Sequence, residues 1–470
     1  MSRGRLVVHA HFYQPFRRDP FTGRVPPDPA AAPFRDWNTR ITAECYRANA
    51  ELGNLRHISW NLGPTLANWM ATEEPATLEL VAEADRTAPG DPAIAQAYHH
   101  SILPLAAARD RRTEIRWGLR DFELRFGRRP GPMWLPETAV DLSTLRALRA
   151  EGITATILAP WQVEGPVPDA RTPYRVDLGG GESLIVVLYD GGLSGAVSFE
   201  PNVTADADRF ARERVAPRFA APLPGGAPML VIATDGELYG HHQPFRDHFL
   251  RRLVAPDDGT PDRGFDVVDL TTALHGIEPH TLPAVVVRDR TSWSCHHGVL
   301  RWTAECPDVP DGRWKGPLRM AFDRLAGAVD AVTDAGSAAL PGMGDPWGAR
   351  DDFVDVVAGT MDPEAFAALR LARSATPADR RRLLELMEAQ RWRLAMFASD
   401  GWFWDDPSRT ETKQVMRAAA RAVRLALGTG SGAERRLVED LAVLTSPALG
   451  IDGATIYRQA LAEIDQPPPG

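Results

Sequence analysis

Two carboxylates close apolar runs in this chain. Met133-Trp134-Leu135-Pro136 leads into Glu137, and Leu230-Val231-Ile232-Ala233-Thr234 leads into Asp235. Carboxyl groups brought from two strands to one cleft can break a glycosidic bond: one protonates the leaving oxygen, the other attacks or stabilises the oxocarbenium-like centre. Singly, each acid also fits a salt bridge or a helix cap. Their matched placement favours catalysis. Aromatic residues accompany them: Tyr13, Trp60, Trp134, Trp161, Tyr189 and Tyr239. A flat ring beside a carboxylate suits a sugar, whose apolar face is edged with hydroxyls. Glu237 competes with Asp235, because two acids two apart on an extended chain share a face.

Histidines supply a second chemistry. His9 and His11 end an apolar run and project to one side of a strand. They fit hydrogen bonds to sugar hydroxyls, or a zinc pair of the kind some barrel hydrolases use on amides and esters. No HExxH or CxxC spacing supports the metal, so the site is read with no metal and no cofactor. His99-His100 fits equally a cleft or a buried pair. Cys295-His296-His297 with Cys306 invites another metal, but is read as buried free thiols beside histidines making ordinary hydrogen bonds. Gly179-Gly180-Gly181 lacks the lysine and helix of a phosphate loop and reads as a hairpin turn. Arg109-Asp110-Arg111-Arg112 reads as a solvated helix face.

These groups need a scaffold that ends several strands at one place. Short β-branched or aliphatic runs predict strands at Arg5–His11, His57–Asn61, Pro132–Pro136, Ile153–Ala159, Ser183–Tyr189, Pro228–Thr234 and Phe265–Leu270. Helical periodicity lies between them, as at Thr113–Phe126, Asp141–Glu151 and Ala205–Phe219. About seven strands alternating with helices predict an α/β fold, a parallel barrel with its polar groups at the C-terminal strand ends. The pattern changes after Pro279. Leu318–Asp334, Pro363–Leu371, Pro377–Phe397, Thr410–Leu427 and Ala433–Leu441 read as amphipathic helices, with a hinge at Gly428–Gly432 and a fraying tail at Gln466–Gly470. The expected domains are a barrel over 1–279 and a mostly helical region over 280–470.

Composition narrows the class. Of 470 residues, 44% are hydrophobic and 24% charged, the balance of a chain with a real core. The net charge of −9 and the mixing of basic with acidic residues argue against a nucleic-acid partner. No apolar run is long enough to span a membrane, and the N-terminus lacks a secretory signal. Three cysteines form no even framework, which suits reduced thiols in the cytoplasm. Oligomeric state is not legible.

Three motifs carry a family resemblance. His9-Ala-His11-Phe-Tyr-Gln14-Pro15, Trp134-Leu-Pro-Glu137 and Asp235-Gly-Glu237-Leu-Tyr-Gly240-His241-His242 resemble, in that order, motifs of glycoside hydrolase family 57. The resemblance covers roughly residues 5 to 275. It implies a (β/α)7 barrel, retention of anomeric configuration, α-glucan substrates and no metal. Glu137 then matches the nucleophile and Asp235 the acid/base. His57–Gly63 departs from the second motif of the glucan-active branches. The segments Thr291–Trp302, Gly401–Asp406 and Glu411–Gln414 look like domain of unknown function 3536.

The leading reading is a glycoside hydrolase or transglycosylase acting on an oligo- or polysaccharide. His9, His11, Trp60, Trp134, Trp161, Asp190, His241 and Trp293 are its expected substrate-binding residues. A metal-dependent barrel hydrolase and a non-catalytic polysaccharide-binding protein are the alternatives. The segment holding Trp293, His297, Arg301 and Trp302 is expected to lean over the barrel mouth.

Overall fold

The computed structural model describes residues 3–166, 168–221, 223, 228–255 and 260–463; the expected fraying tail lies outside them. Nine strands are formed among these residues: β1 Gly4–Phe12, β2 Ser59–Leu62, β3 Ala95–Gln96, β4 Met133–Trp134, β5 Ala155–Leu158, β6 Tyr174–Gly179, β7 Glu182–Leu188, β8 Met229–Asp235 and β9 Phe265–Val267. The chain groups into two compact units that are not contiguous in sequence. The first comprises residues 1–14, 28–97 and 122–293, the second 15–27, 98–121 and 294–470.

In the first unit seven parallel strands close a ring. β1 pairs with β2 on one edge and β8 on the other. Beyond β2, Trp60 bridges Ala93, and β3 pairs with β4. Pro132 then bridges Ala155 and β5 pairs with β7. The Asp190 amide donates to the Val231 carbonyl at 2.8 Å, joining the end of β7 to β8. The unit is a (β/α)7-type barrel. β6 is an antiparallel strand appended to β7 through the glycine turn, the expected hairpin. Expected strand Phe265–Leu270 shortens to β9, which pairs with Gly4–Leu6 below β2. Its place in the ring goes to β3, two residues without a sequence pattern of their own.

The strand pleat decides what the lumen contains. Side chains alternate between faces, and one buried cluster holds Val7, Ala155, Ile157, Ile185, Val187, Met229, Val231 and Ala233, all odd-numbered. The inward stripe of β1 therefore runs Val7, His9, His11, and that of β8 runs Met229, Val231, Ala233, Asp235. Leu270 and Ala273 of a short helix pack against the apolar layers. On β1 and β8 apolar side chains fill the start of the inward stripe and polar ones its end, which puts these polar groups at the C-terminal mouth.

The second unit is mostly helical. Its helices include Lys315–Ala338, Pro377–Ala395, Thr410–Leu427 and Gly432–Leu441, close to their expected positions, with Pro346–Asp352 and Gly453–Ala462 besides. No helix among the described residues is long and apolar enough to cross a membrane. Asp110, in the stretch expected to be solvated, is buried and holds Arg350 at 2.8 Å and Arg393 at 2.5 Å. Arg393 also reaches Asp330 at 2.9 Å. Both arginines are nearly free of solvent, so removing Asp110 would strand buried charge. Asp110→Ala should cost about 3–5 kcal/mol in chemical denaturation.

Candidate active site

Glu137 follows β4 on a tight turn, Pro136–Thr138, in a conformation side chains rarely adopt. Its φ is 55° and that of Thr138 is 48°. For a β-branched residue this is strained backbone, and it persists only where neighbours over-determine it. Gln162 does so from the loop after β5: its amide nitrogen donates to the Thr138 carbonyl at 2.8 Å, and its Oε1 accepts from the Thr138 hydroxyl at 2.8 Å. Trp293 fixes Glu137 twice. Its backbone amide donates to the Glu137 carbonyl at 3.0 Å and its indole N–H to Oε2 at 3.1 Å.

Asp235 is the last residue of β8 and the register partner of His11 on β1. It is open to solvent yet enclosed by protein, as a group on the floor of a recess is. That enclosure, and then the charge of Glu137, pushes its carboxyl pKa up to about 7. The two acids thus feel one another electrostatically, and Asp235 keeps its proton toward neutral pH.

Glycines allow the turn after Asp235. A Cβ on Gly236 would lie 2.2 Å from the Phe12 ring, and one on Gly240 would lie 2.2 Å from the Glu44 carbonyl oxygen. Glu237 turns away into the protein, where its Oε1 accepts from the Tyr46 hydroxyl at 2.6 Å and the Tyr13 amide at 3.0 Å. Burial raises its pKa to about 8 against the help of that hydroxyl.

His11, level with Asp235, and His9 one step below it stack on Trp134 with ring centroids 5.0 and 4.7 Å away. Burial lowers the histidine pKa values to about 3 and about 4, so both rings are neutral. A consistent proton pattern follows. His9 Nε2–H donates to Asn61 Oδ1 at 3.2 Å, and His9 Nδ1 accepts from the Ser59 hydroxyl at 3.2 Å. Asn61 Nδ2 donates to His11 Nδ1 at 3.0 Å and to Gln96 Oε1 at 2.5 Å, which puts the His11 proton on Nε2. His9 has a partner at each nitrogen, an arrangement for positioning a neighbour rather than holding an ion.

The other expected binding residues divide. Trp161 is partly exposed, donates to the Ser292 carbonyl at 3.1 Å and meets Tyr189 edge-on at 6.0 Å, as a sugar platform would. Trp293 stands edge-on to both His11 and Trp134. His241 pairs with Glu44 at 2.6 Å beside Trp37. Three assignments need correction. Trp60 is even-numbered on its strand, faces out of the barrel, and packs edge-on against Phe126. Trp134 is fully buried and serves as floor, not platform. Asp190 caps the helix Gly191–Phe199 and is held by Arg218 at 2.8 Å, so a structural role accounts for it.

Several contributors escaped the sequence reading. Asn61 and Gln96 are uncharged and sit on very short strands. Glu44 and Tyr46 come from Trp37–Glu51, a helix whose middle, Thr42–Tyr46, widens into a π-turn; such bulges recur at functional sites but have no simple sequence signature. His99 and His100 belong to the second unit and are a buried pair, bonded to Glu114 at 2.8 Å and to Ser399 at 2.7 Å. Also in that unit, Trp302 is buried with its N–H on the Ser399 carbonyl, and Arg301 lies over the Phe403 ring.

Residues 61–257 match the family model described as Glycosyl hydrolase family 57, and residues 311–465 match the Domain of unknown function (DUF3536). The chain is a family 57-like barrel followed by a region resembling that domain. Solved structures agree on the fold. An exo-type maltose-forming amylase from Pyrococcus sp. ST04 is 17% identical with a TM-score of 0.72, over 97% of this chain and 88% of its own. A family 57 branching enzyme from Pyrococcus horikoshii is 17% identical with a TM-score of 0.60, over 99% and 98%. The α-amylase AmyC from Thermotoga maritima is 12% identical with a TM-score of 0.56, over 97% and 99%. No curated protein sequence matches the chain.

The raised pKa of Glu237 has a consequence for stability. Its folded pKa of about 8 lies above an unfolded value near 4.3. Between these values the unfolded chain has already released a proton that the folded chain still holds, so stability falls as pH rises and levels off above about 8. Glutamine at this position keeps an acceptor for Tyr46 and Tyr13 but does not titrate. Glu237→Gln should therefore gain stability over the parent as pH goes from ~5 to ~9, by roughly 1–3 kcal/mol at the alkaline end, read by thermal or urea denaturation. A difference that does not change with pH would contradict the buried, protonated carboxyl.

Proposed function

We propose that this chain is a retaining enzyme that hydrolyses or transfers α-glucosidic linkages, with Glu137 as nucleophile and Asp235 as general acid and base. The observation that carries the reading is the electrostatic pairing of two carboxyl groups at one barrel mouth. Asp235 keeps its proton because of enclosure and the charge of Glu137, while Glu137 is presented on strained backbone by Trp293 and the Gln162 clamp. A protonated acid facing a charged one is the ground state that retaining hydrolysis needs. The α-glucan assignment is supported by the amylases and the branching enzyme that share the fold.

In the first step the Glu137 carboxylate attacks the anomeric carbon as the Asp235 proton passes to the leaving glycosidic oxygen. A covalent glycosyl ester forms on Glu137. Asp235, now ionised, takes a proton from water or an acceptor sugar, which attacks the ester and restores the original anomeric configuration. His11 and His241 offer hydrogen bonds to sugar hydroxyls, and Trp161 an apolar face. Glu237, bonded to Tyr46 and the Tyr13 amide, supports the floor and stays out of proton transfer.

The proton sets the pH response. Turnover of natural glycans should fall as pH rises through about 7, where Asp235 loses its proton. Glu137→Gln should lower kcat by roughly 10⁴-fold or more with the fold intact. Asp235→Ala should cost about 10²–10⁴-fold on natural glycans, and far less on substrates whose leaving group needs no proton. Azide should then rescue that variant and give a glycosyl azide of unchanged anomeric configuration. Near-normal activity of Glu137→Gln would overturn the assignment.

A further inference from the structure

In the second unit, two buried thiols, an imidazole and a carboxylate converge where neither the family match nor the proposed reaction needs them. We propose that Cys295, His297, Cys306 and Asp308 bind a structural zinc ion. One potential ligand atom from each lies within 4.8 Å of every other. The sulfurs are 3.3 Å apart, Cys306 Sγ is 3.6 Å from His297 Nδ1, and that nitrogen is 3.4 Å from Asp308 Oδ2. Tetrahedral zinc with its usual bond lengths sets sulfur–sulfur, sulfur–nitrogen and nitrogen–oxygen edges of about 3.8, 3.6 and 3.3 Å. These three edges match such a geometry to within about half an ångström, the largest departure being at the sulfurs.

Local chain geometry brings the four groups together. The ligands come as two matched steps, Cys295-x-His297 and Cys306-x-Asp308. Each cysteine opens a tight turn: its carbonyl accepts the amide three residues on, from Gly298 at 3.2 Å and from Val309 at 2.9 Å. Burial raises the Cys295 pKa, and the backbone amides of Arg301 and His297 directed at its sulfur work against that rise. Both sulfurs are buried, while His297 and Asp308 form the outer lip.

Charge balance gives an independent argument. Lys315, the first residue of the helix Lys315–Ala338, is fully buried, and its ammonium has no hydrogen-bond partner among the described residues. It lies near enough to Cys306, Cys295 and Asp405 to feel their charge. A buried ammonium with nothing to neutralise it is costly. Two thiolates and one carboxylate around a divalent ion leave one net negative charge, which Lys315 cancels. Soft thiolates with imidazole select zinc over calcium or magnesium, and four protein ligands leave no open position for catalysis. The role is a clamp that ties the two ends of the loop 295–308 together, beside the contacts Trp302 and Arg301 make within it. Ordinary hydrogen bonds, the sequence expectation for this cluster, leave Asp405 as the fixed negative charge the ammonium feels, set against the positive charge of Arg301.

The test uses the full chain, purified under reducing conditions without chelator. Elemental analysis should find one zinc per chain. After the metal is stripped and replaced by cobalt(II), the spectrum should show thiolate-to-cobalt charge transfer and tetrahedral ligand-field bands. Cys295→Ser and Cys306→Ser should abolish both, but either can unfold the loop. His297→Ala alters a partly exposed side chain and should keep the circular dichroism of the parent. It should weaken cobalt affinity by at least about tenfold, since even groups behind metal ligands carry ~10–100-fold effects. His296→Ala, whose ring lies 3.6 Å from Asp308, should change nothing if His297 is the ligand. The proposal fails if the reduced parent takes up neither zinc nor cobalt, if metal persists when both cysteines are replaced, or if the two sulfurs are found joined in a metal-free disulfide. None of these readouts depends on glycosidase activity.

Discussion

The structure depends first on the pleat of a closed parallel barrel. Once seven strands form a ring, every second side chain points into a lumen too narrow for water and must fill it. Val7, Ile157, Val187 and Val231 do so. The stripe can turn polar only at its last one or two positions, where it meets solvent. His11 and Asp235 occupy those positions on adjacent strands, in register. Catalytic potential at the mouth and stability below it thus follow from one alternation, and a one-residue shift of β1 would put Ala10 where His11 stands.

Enclosure then sets the charge states. Crowding acids and imidazoles into a recess disfavours every charged form. The histidines lose protons and the acids keep theirs: His9 and His11 fall to about 3 and 4, while Asp235 and Glu237 rise to about 7 and 8. Hydrogen bonds divide the two acids between roles. Glu237 is tied to Tyr46 and the Tyr13 amide, whereas Asp235 is open to solvent and feels the charge of Glu137. Neutral histidines over a tryptophan make a rigid floor that does not compete for protons near neutral pH.

Much of this was legible in the sequence because apolar strands that end in a charged residue are conspicuous. The strands of Val8, Ile157, Val187 and Ile232, and the acids Glu137 and Asp235 at strand ends, stand out from pattern alone. β3 did not, because two residues carry no period. Trp60 was misplaced because an aromatic near a strand end looks the same on either face until the register with β1 is known; pairing with Ala10 turns it outward. Asp190 looked like a third acid at a strand end, but it also begins a helix, and capping with the Arg218 pair satisfies it. Tyr46 and Glu44 reach the acid motif only through a π-turn. The division into units was partly hidden because Tyr98–Asp121 groups with the helical half, a long-range grouping that local patterns cannot carry.

The central claim is that Glu137 carries the glycosyl group. Its most direct test is peptide mapping by mass spectrometry after reaction with a fluorinated α-glucosyl fluoride that forms the intermediate quickly and releases it slowly. The account predicts one added glycosyl mass per chain, on the peptide containing Trp134-Leu135-Pro136-Glu137 and fragmenting to Glu137. Label on Asp235 or Glu237, or turnover with inverted anomeric configuration and no adduct, would contradict it.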